Sequence, residues 1–208
     1  MDLPTLKTVK PKWALTVTQG AALLNALPPL VRTMVGLALM TGLRRGELFA
    51  LRWKSVNLAE GHLTVDEAVY EGAFGTPKTS ASLRRVPLSE ATVRLLTEWR
   101  DRAKNTPADA LVFATGSGKP ISPNNVLRRW VFPACAMLNL PNASWLTFRR
   151  TYASWAHDKG VPGKVVAQLM GHTNANVTLN VYTQVTIGNN SELLDLIGSP
   201  HWTISATG

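Results

Sequence analysis

Apolar positions along this chain recur mostly at three- and four-residue spacing, with one stretch of alternation in the middle. Residues 1 to about 14 are polar, carry Pro4 and Pro11, and read as a linker or arm. Thr16 or Thr18 is placed to cap a helix running through Leu27, which Pro28-Pro29 would break. A second helix is expected over 30–40, ending at Thr41-Gly42. A third follows Arg44, with Glu47, Leu48 and Leu51 on one face. Residues 62–70 (HLTVDEAVY) alternate and are β-branched, the pattern of a strand. Residues 71–82, rich in Gly, Thr and Ser, read as a hairpin loop, and 83–88 (LRRVPL) as the return strand. Ser89 then caps an amphipathic helix through Arg102, with Glu90 early and Arg100 and Arg102 late, as the helix dipole favours. Residues 106–123 are connective, apart from a short apolar piece at 111–113. Beyond Ser122 the helical period returns in pieces, about 123–139, 147–159, 163–170 and 175–183. A last helix over 191–197 sits in a tail after Gly188-Asn189-Asn190. The pattern predicts an α+β chain, mainly α: one domain of helices with a small antiparallel sheet.

Composition narrows the partners. The chain has 208 residues, 45% of them hydrophobic, enough for one domain with a real core. Its 22 Lys+Arg against 13 Asp+Glu leave a formal charge of +9, which favours a polyanion, nucleic acid first and an anionic membrane surface second. The one cysteine, Cys135, lies in an apolar stretch (WVFPACAML). It supports no internal disulfide, is expected to pack in a helix, and fits a reducing cytoplasm. The longest apolar run, 34–40, is far too short to span a membrane, and MDLPTLKTVKPK has no signal-peptide core behind its charges.

Candidate chemistry sits in a few short segments. Arg44 follows a Thr-Gly-Leu turn at the mouth of a helix, three residues before Glu47. A guanidinium there presents a fork of donors to phosphate oxygens, and Glu47 is placed to hold Arg44 or Arg45. The plainer reading is an exposed helix-start pair with an i,i+3 salt bridge. Arg149 lies in a helix with Thr151, Tyr152 and Ser154, and Arg150 points elsewhere; alone, such a pair is an ordinary solvated or DNA-facing edge. Gly171 is expected to end a helix and leave His172 just past the C-cap, where imidazolium is favoured; alone, it is a capping histidine. Tyr182 lies in VTLNVYTQV. A phenol with a pKa of about 10 needs a cationic environment to attack at neutral pH. Two arginines and a histidine would supply it; otherwise Tyr182 is a half-buried structural tyrosine. Tyr70 and Tyr152 are the rival phenols. Lys78 lies in the hairpin loop, and Arg84 and Arg85 on the return strand read as phosphate contacts.

Each plain reading holds for its residue alone, and the conjunction overturns them. The boxes TGLRRGELFALRW, PKTSASLRRVPL, RRTYASWAHDKGV and LMGHTNANVTLNVYTQV come in the order Arg, Lys hairpin, Arg helix, Gly-His, Tyr. In order, spacing and local context they resemble the tyrosine recombinase (phage integrase) family over about residues 15–187. The resemblance implies a mostly helical catalytic domain with a small sheet at 15–187 and a C-terminal tail helix at 188–208. It implies that Arg44 and Arg149 clamp a DNA phosphate, that Lys78 is the general acid for the 5′-hydroxyl, and that His172 donates to a non-bridging oxygen. Tyr182 is then the nucleophile that forms a 3′-phosphotyrosyl link. Arg45, Arg84, Arg85 and Arg150 are expected DNA contacts and Glu47 a supporting residue, with no metal or other cofactor. The implied partner is double-stranded DNA at recombination sites, in the cytoplasm, by a chain monomeric when free. The apolar stripe Leu193, Leu194, Leu196 and Ile197 would either dock into a neighbouring protomer of a tetramer on DNA or fold back in cis.

Two departures qualify the resemblance. Family members usually carry a histidine three residues before the second arginine; this chain reads Leu146-Thr147-Phe148-Arg149. Leucine moves no proton, and general acid–base help is worth about 10²–10⁴-fold, so a slow enzyme is expected. The chain also reads as beginning almost at the catalytic domain, without the N-terminal core-binding domain; an excised piece, a truncated gene and a minimal member all fit. Recombinase is the favoured function. A DNA-binding relic that has lost catalysis is the alternative, and a type IB topoisomerase shares the chemistry. No clustered Asp/Glu/His set points to a metal-dependent nuclease.

Overall fold

The computed structural model describes residues 13–75, 83–103 and 106–171. Helix α1 (Val17–Asn25) begins at a reciprocal cap: Thr16 Oγ1 accepts from the Gln19 N–H at 3.2 Å, and the Gln19 amide oxygen accepts from the Thr16 N–H at 2.9 Å. Helix α2 (Pro29–Thr41) starts on a proline whose fixed φ suits the first helical position, and ends at Gly42 in the left-handed conformation, φ +62°. It is apolar nearly all round and buried, the mark of a central helix, with α1, α4 (Glu90–Arg102) and α7 (Trp145–Asp158) packed on it. Helix α3 (Arg45–Ala50) follows at once, with Arg44 as its N-cap.

The sheet departs from the sequence pattern in three ways. Strand β1 (Val56–Asn57), which the pattern did not reveal, pairs antiparallel with β2 (His62–Val65), and β2 pairs with β5 (Arg84–Pro87), in the order β1-β2-β5. The strand expected over 62–70 breaks at Asp66-Glu67, because both carboxylates are claimed from outside the ladder. Ser55 Oγ donates to Asp66 at 2.8 Å and Arg52 Nε to Glu67 at 2.7 Å. Past the break, β3 (Ala68–Tyr70) and β4 (Ala73–Gly75) form their own hairpin around Glu71-Gly72, both at positive φ, the turn whose twist suits two strands. β4 lies in what composition marked as loop; the Arg52 guanidinium sits 5.2 Å over the Phe74 ring and ties it down.

Helix α4 (Glu90–Arg102) is capped by Ser89, as expected. Helices α5 (Pro123–Val126) and α6 (Phe132–Met137) are joined by a π turn at Leu127–Val131. The widened turn accommodates Pro133, which has no N–H to give the preceding turn. Cys135 is buried in α6, as expected. Helix α7 (Trp145–Asp158) begins two residues before the periodicity implied, because Ser144 and Thr147 cap each other's backbone N–H. Helix α8 (Gly163–Leu169) closes the described chain. The helices expected over 175–183 and 191–197 lie outside the described residues, as do Lys78, His172 and Tyr182. Among the described residues no helix is long and apolar enough to cross a membrane.

The main core runs from Leu15 to Phe148. Trp145 meets Phe49 and Phe148 edge-on, with ring centroids 5.0 and 5.7 Å apart, locking α7 onto α3. A smaller cluster, including Val165, Val166 and Leu169, packs α8 against α7. The α2–α3 corner is tight: a Cβ on Gly42 would stand 2.5 Å from the Tyr152 ring. Gly42→Ala should therefore add a ring clash to a left-handed backbone cost of about 1–2 kcal/mol. Gly72→Ala, at φ +82° in open space, carries the backbone cost alone. In thermal unfolding followed by circular dichroism, the Gly42 variant should lose at least twice the Tm that the Gly72 variant loses.

Candidate active site

At the centre of the site lies a carboxylate. Glu47 occupies the first turn of α3 with its side chain 4% exposed, and four donors converge on its two oxygens. The Arg44 backbone N–H and Nη1 approach at 2.8 and 2.9 Å, and Arg84 Nη1 and Nη2 at 3.0 and 2.8 Å. Burial pushes the Glu47 carboxyl up, but the hydrogen bonds and charge of Arg84, with those of Arg44 behind them, bring it below its ordinary value. It stays ionised at neutral pH.

The three arginines share a second structure, the end of α8. Leu169 O accepts from Arg84 Nε at 2.8 Å, Met170 O from Arg149 Nη2 at 2.7 Å, and Gly171 O from Arg44 Nη2 at 2.8 Å. Three successive carbonyls thus each take a different guanidinium, at the end where the helix dipole is negative. Gly171 is at φ +74°, and a Cβ there would stand 2.7 Å from Arg84 Nη1 and 2.9 Å from Arg44 Nη1, so any other residue would strain the backbone and push on both guanidiniums. Arg149 also donates from Nη1 to Gly42 O. Burial, then the nearby Arg44 charge, lowers the Arg149 guanidinium to about 10, still protonated at neutral pH.

Three guanidiniums and one carboxylate leave this cluster with excess positive charge, as an anion site requires. Access is unequal. The Arg44 side chain is 42% exposed and opens to solvent, whereas the Arg84 side chain, 6% exposed, and Arg149, 8% exposed, are buried. The sequence suggested a phosphate contact for Arg84; in the fold its side chain lies against Glu47 and Leu169. The signal was present in the strand: Arg84 lies two residues before buried Val86, hence on the inward face, and Arg85 on the outward one. Arg45 and Arg85 are exposed and Arg150 is half-buried on α7. Leu146, one helical turn before Arg149, is 53% exposed.

The rival phenols separate. Burial pushes the Tyr152 phenol up to about 12 despite Arg84 and Arg149, so it stays protonated beside Gly42. Tyr70 is exposed on the β3–β4 hairpin. Among the described residues no group of three or more His, Cys, Asp or Glu is gathered to hold a metal ion.

A model of the phage integrase family matches residues 14–188. The chain is 31% identical over 176 residues to a tyrosine recombinase XerC-like protein of Caldanaerobacter subterraneus subsp. tengcongensis, covering 72% of this chain and 44% of that protein. It is 32% identical over 202 residues to an integrase of Streptomyces ambofaciens, covering 87% of this chain and 51% of that one. The chain thus spans about half the length of the curated relatives it matches. Its fold matches that of the Tn1549 transposon integrase, solved in complex with circular intermediate DNA, with a TM-score of 0.71 at 20% identity over 85% of this chain and 67% of that one.

Removing the Glu47 charge should uncouple the cluster. Glu47→Gln strands buried guanidiniums, and the expected loss is about 3–5 kcal/mol of unfolding free energy at pH 7. Because the native carboxyl titrates below its unfolded value, its contribution is complete above about pH 4.3 and is lost as pH falls through the native value. Urea unfolding from pH 7 to pH 3 should show the wild type falling towards the variant.

Proposed function

The chain belongs to the phage integrase family, and from that premise we propose that it cuts and rejoins DNA through a 3′-phosphotyrosyl intermediate on Tyr182. The observation that carries the proposal is the cluster of Arg44, Arg84 and Arg149 around a single carboxylate, at the end of α8 where His172 follows Gly171 in sequence. Such a site stabilises charge that develops on phosphate oxygens, and its donors are oriented before substrate arrives. Arg44 and Arg149 clamp the non-bridging oxygens, and His172 adds a hydrogen bond. The Tyr182 oxygen attacks phosphorus as the bond to the 5′-oxygen breaks, and Lys78 gives that oxygen its proton. A 5′-hydroxyl of another strand then attacks the phosphotyrosine and releases Tyr182. The covalent link conserves the phosphodiester energy, so the two steps need neither metal nor ATP.

In this reading residues 15–187 are the catalytic domain. Arg45, Arg85 and Arg150 contact the DNA backbone, and the protein acts in the cytoplasm on the sites of a mobile element. On DNA the chain assembles as a tetramer in which the segment around 193–197 docks into a neighbouring protomer. A second reading, a DNA-binding relic, draws on exposed Leu146, which offers no proton transfer one turn before Arg149.

Incubation with DNA flanking the gene, carrying 5′-bridging phosphorothiolates, should give an SDS-resistant adduct that mass spectrometry maps to Tyr182 and that Tyr182→Phe lacks. Salt-sensitive binding with no adduct would favour the relic. Arg44→Ala or Arg149→Ala should slow adduct formation about 10²–10³-fold. Leu146→His, at a position about half exposed, should accelerate adduct formation on plain phosphodiester DNA, by up to about 10²–10⁴-fold, with little change in Tm.

A further inference from the structure

We propose that Arg84 is a positioning residue for strand transfer, holding Glu47 and the end of α8 in place without itself touching the DNA phosphate. The proposal rests on the reading of this cluster as the strand-transfer site and assigns its third arginine a role unlike those of the other two.

The geometry separates Arg84 from Arg44 and Arg149. Its two terminal nitrogens form a parallel fork on both oxygens of Glu47, and its Nε donates to Leu169 O. Its side chain is 6% exposed and faces inward from β5, a burial it shares with Arg149 at 8%; what sets Arg84 apart is that its fork is engaged by the Glu47 carboxylate. What it does reach are the supports of the exposed guanidinium. Glu47 holds Arg44 by two hydrogen bonds, and Gly171 O, two residues beyond Leu169, holds it by a third. Arg84 thus ties α3, β5 and α8 together at the two points that orient Arg44. Its contacts with Glu47 and Leu169 span 37 and 85 residues of sequence, so no local element would replace them. A Cβ added to Gly171 would meet both the Arg84 and the Arg44 guanidinium, so the two lie side by side over this residue. Lysine keeps the charge but has one nitrogen and no planar fork, and cannot make all three bonds in this geometry.

The test uses the full 208-residue chain, phosphorothiolate DNA flanking the gene, and four variants: Arg84→Lys, Arg84→Gln, Glu47→Gln and Arg84→Lys with Glu47→Gln. Stoichiometric DNA titration first measures the binding-competent fraction, so that a partly unfolded variant is compared per folded molecule. Single-turnover adduct formation at saturating DNA, and Kd across a salt series, are then measured. Arg84→Lys and Arg84→Gln should slow the saturated rate roughly 10²-fold, as a misplacement near 1 Å does. Their Kd and salt slope should stay near wild type. The double variant should be slower than Glu47→Gln by much less than the full Arg84→Lys factor, because Arg84 acts in part through that carboxylate and only the Leu169 contact remains to be lost. Arg85→Ala, on the outward face, should instead weaken binding and reduce the salt slope by about 0.9. A fall of about 0.9 in salt slope for Arg84→Gln would make Arg84 a phosphate contact and overturn the proposal. So would a saturated rate per competent molecule equal to wild type, which would leave only a role in folding. Loss of the wild-type adduct on Tyr182 would sink the strand-transfer reading itself, and this proposal with it; an intact wild-type adduct with unchanged Arg84 variants sinks this proposal alone.

Discussion

The site depends on one buried carboxylate. Three guanidiniums brought within a few ångströms repel one another, and burial removes the water that would screen them. Glu47 is the group that makes the arrangement tolerable. It accepts four hydrogen bonds, two from each of Arg44 and Arg84, and its charge favours the protonated form of the buried Arg149. Such a network is a poor source of net stability, since an apolar replacement of equal volume often does as well. Its value lies in orientation: charges that would otherwise splay apart are held in one register.

The carbonyls of Leu169, Met170 and Gly171 complete that register. A helix end leaves its last carbonyls without partners, and here three of them accept from three arginines that arrive from α3, β5 and α7. The two deficits cancel, unpaired acceptors on one side and crowded donors on the other. The apolar framework makes the meeting possible. Phe49, Trp145 and Phe148 lock α7 onto α3, the small α7–α8 cluster fixes the height of the helix end, and Gly42 lets the α2–α3 corner approach Tyr152. The cluster is therefore charged and ordered in the protein alone, which is the condition for electrostatic preorganisation.

Much of this was legible in the sequence, because local signals and tertiary packing agree. Thr16 and Ser89 begin helices by capping them and Gly42 ends one, while Arg44 opens α3 and Arg149 lies on α7. The misses came where a distant partner decided the outcome. The strand over 62–70 breaks because Ser55 and Arg52 claim Asp66 and Glu67, and no local pattern announces them. Arg84 reads as a surface arginine until its alternation with buried Val86 is weighed, and even then Glu47 as its partner is a tertiary fact. The carbonyl triad at 169–171 has no sequence signature, since every residue has a carbonyl. Lys78, His172 and Tyr182 lie outside the described residues, so the sequence alone speaks for them.

Leu146 divides the site into two parts that answer to different physics. The charge-stabilising part is assembled by Glu47, the arginines and the α8 carbonyls, and none of its hydrogen bonds passes through residue 146. The leucine is about half exposed, between buried Trp145 and buried Thr147, so the core does not require an apolar residue there. Its consequence is therefore confined to proton transfer. A site that binds and polarises a phosphate while lacking a proton acceptor at this position lowers only part of the barrier. The nucleophile's proton must then leave to water or to a phosphate oxygen. On the proposed reaction, deprotonation of the phenol would be the slow step, reached with the phosphate already in place.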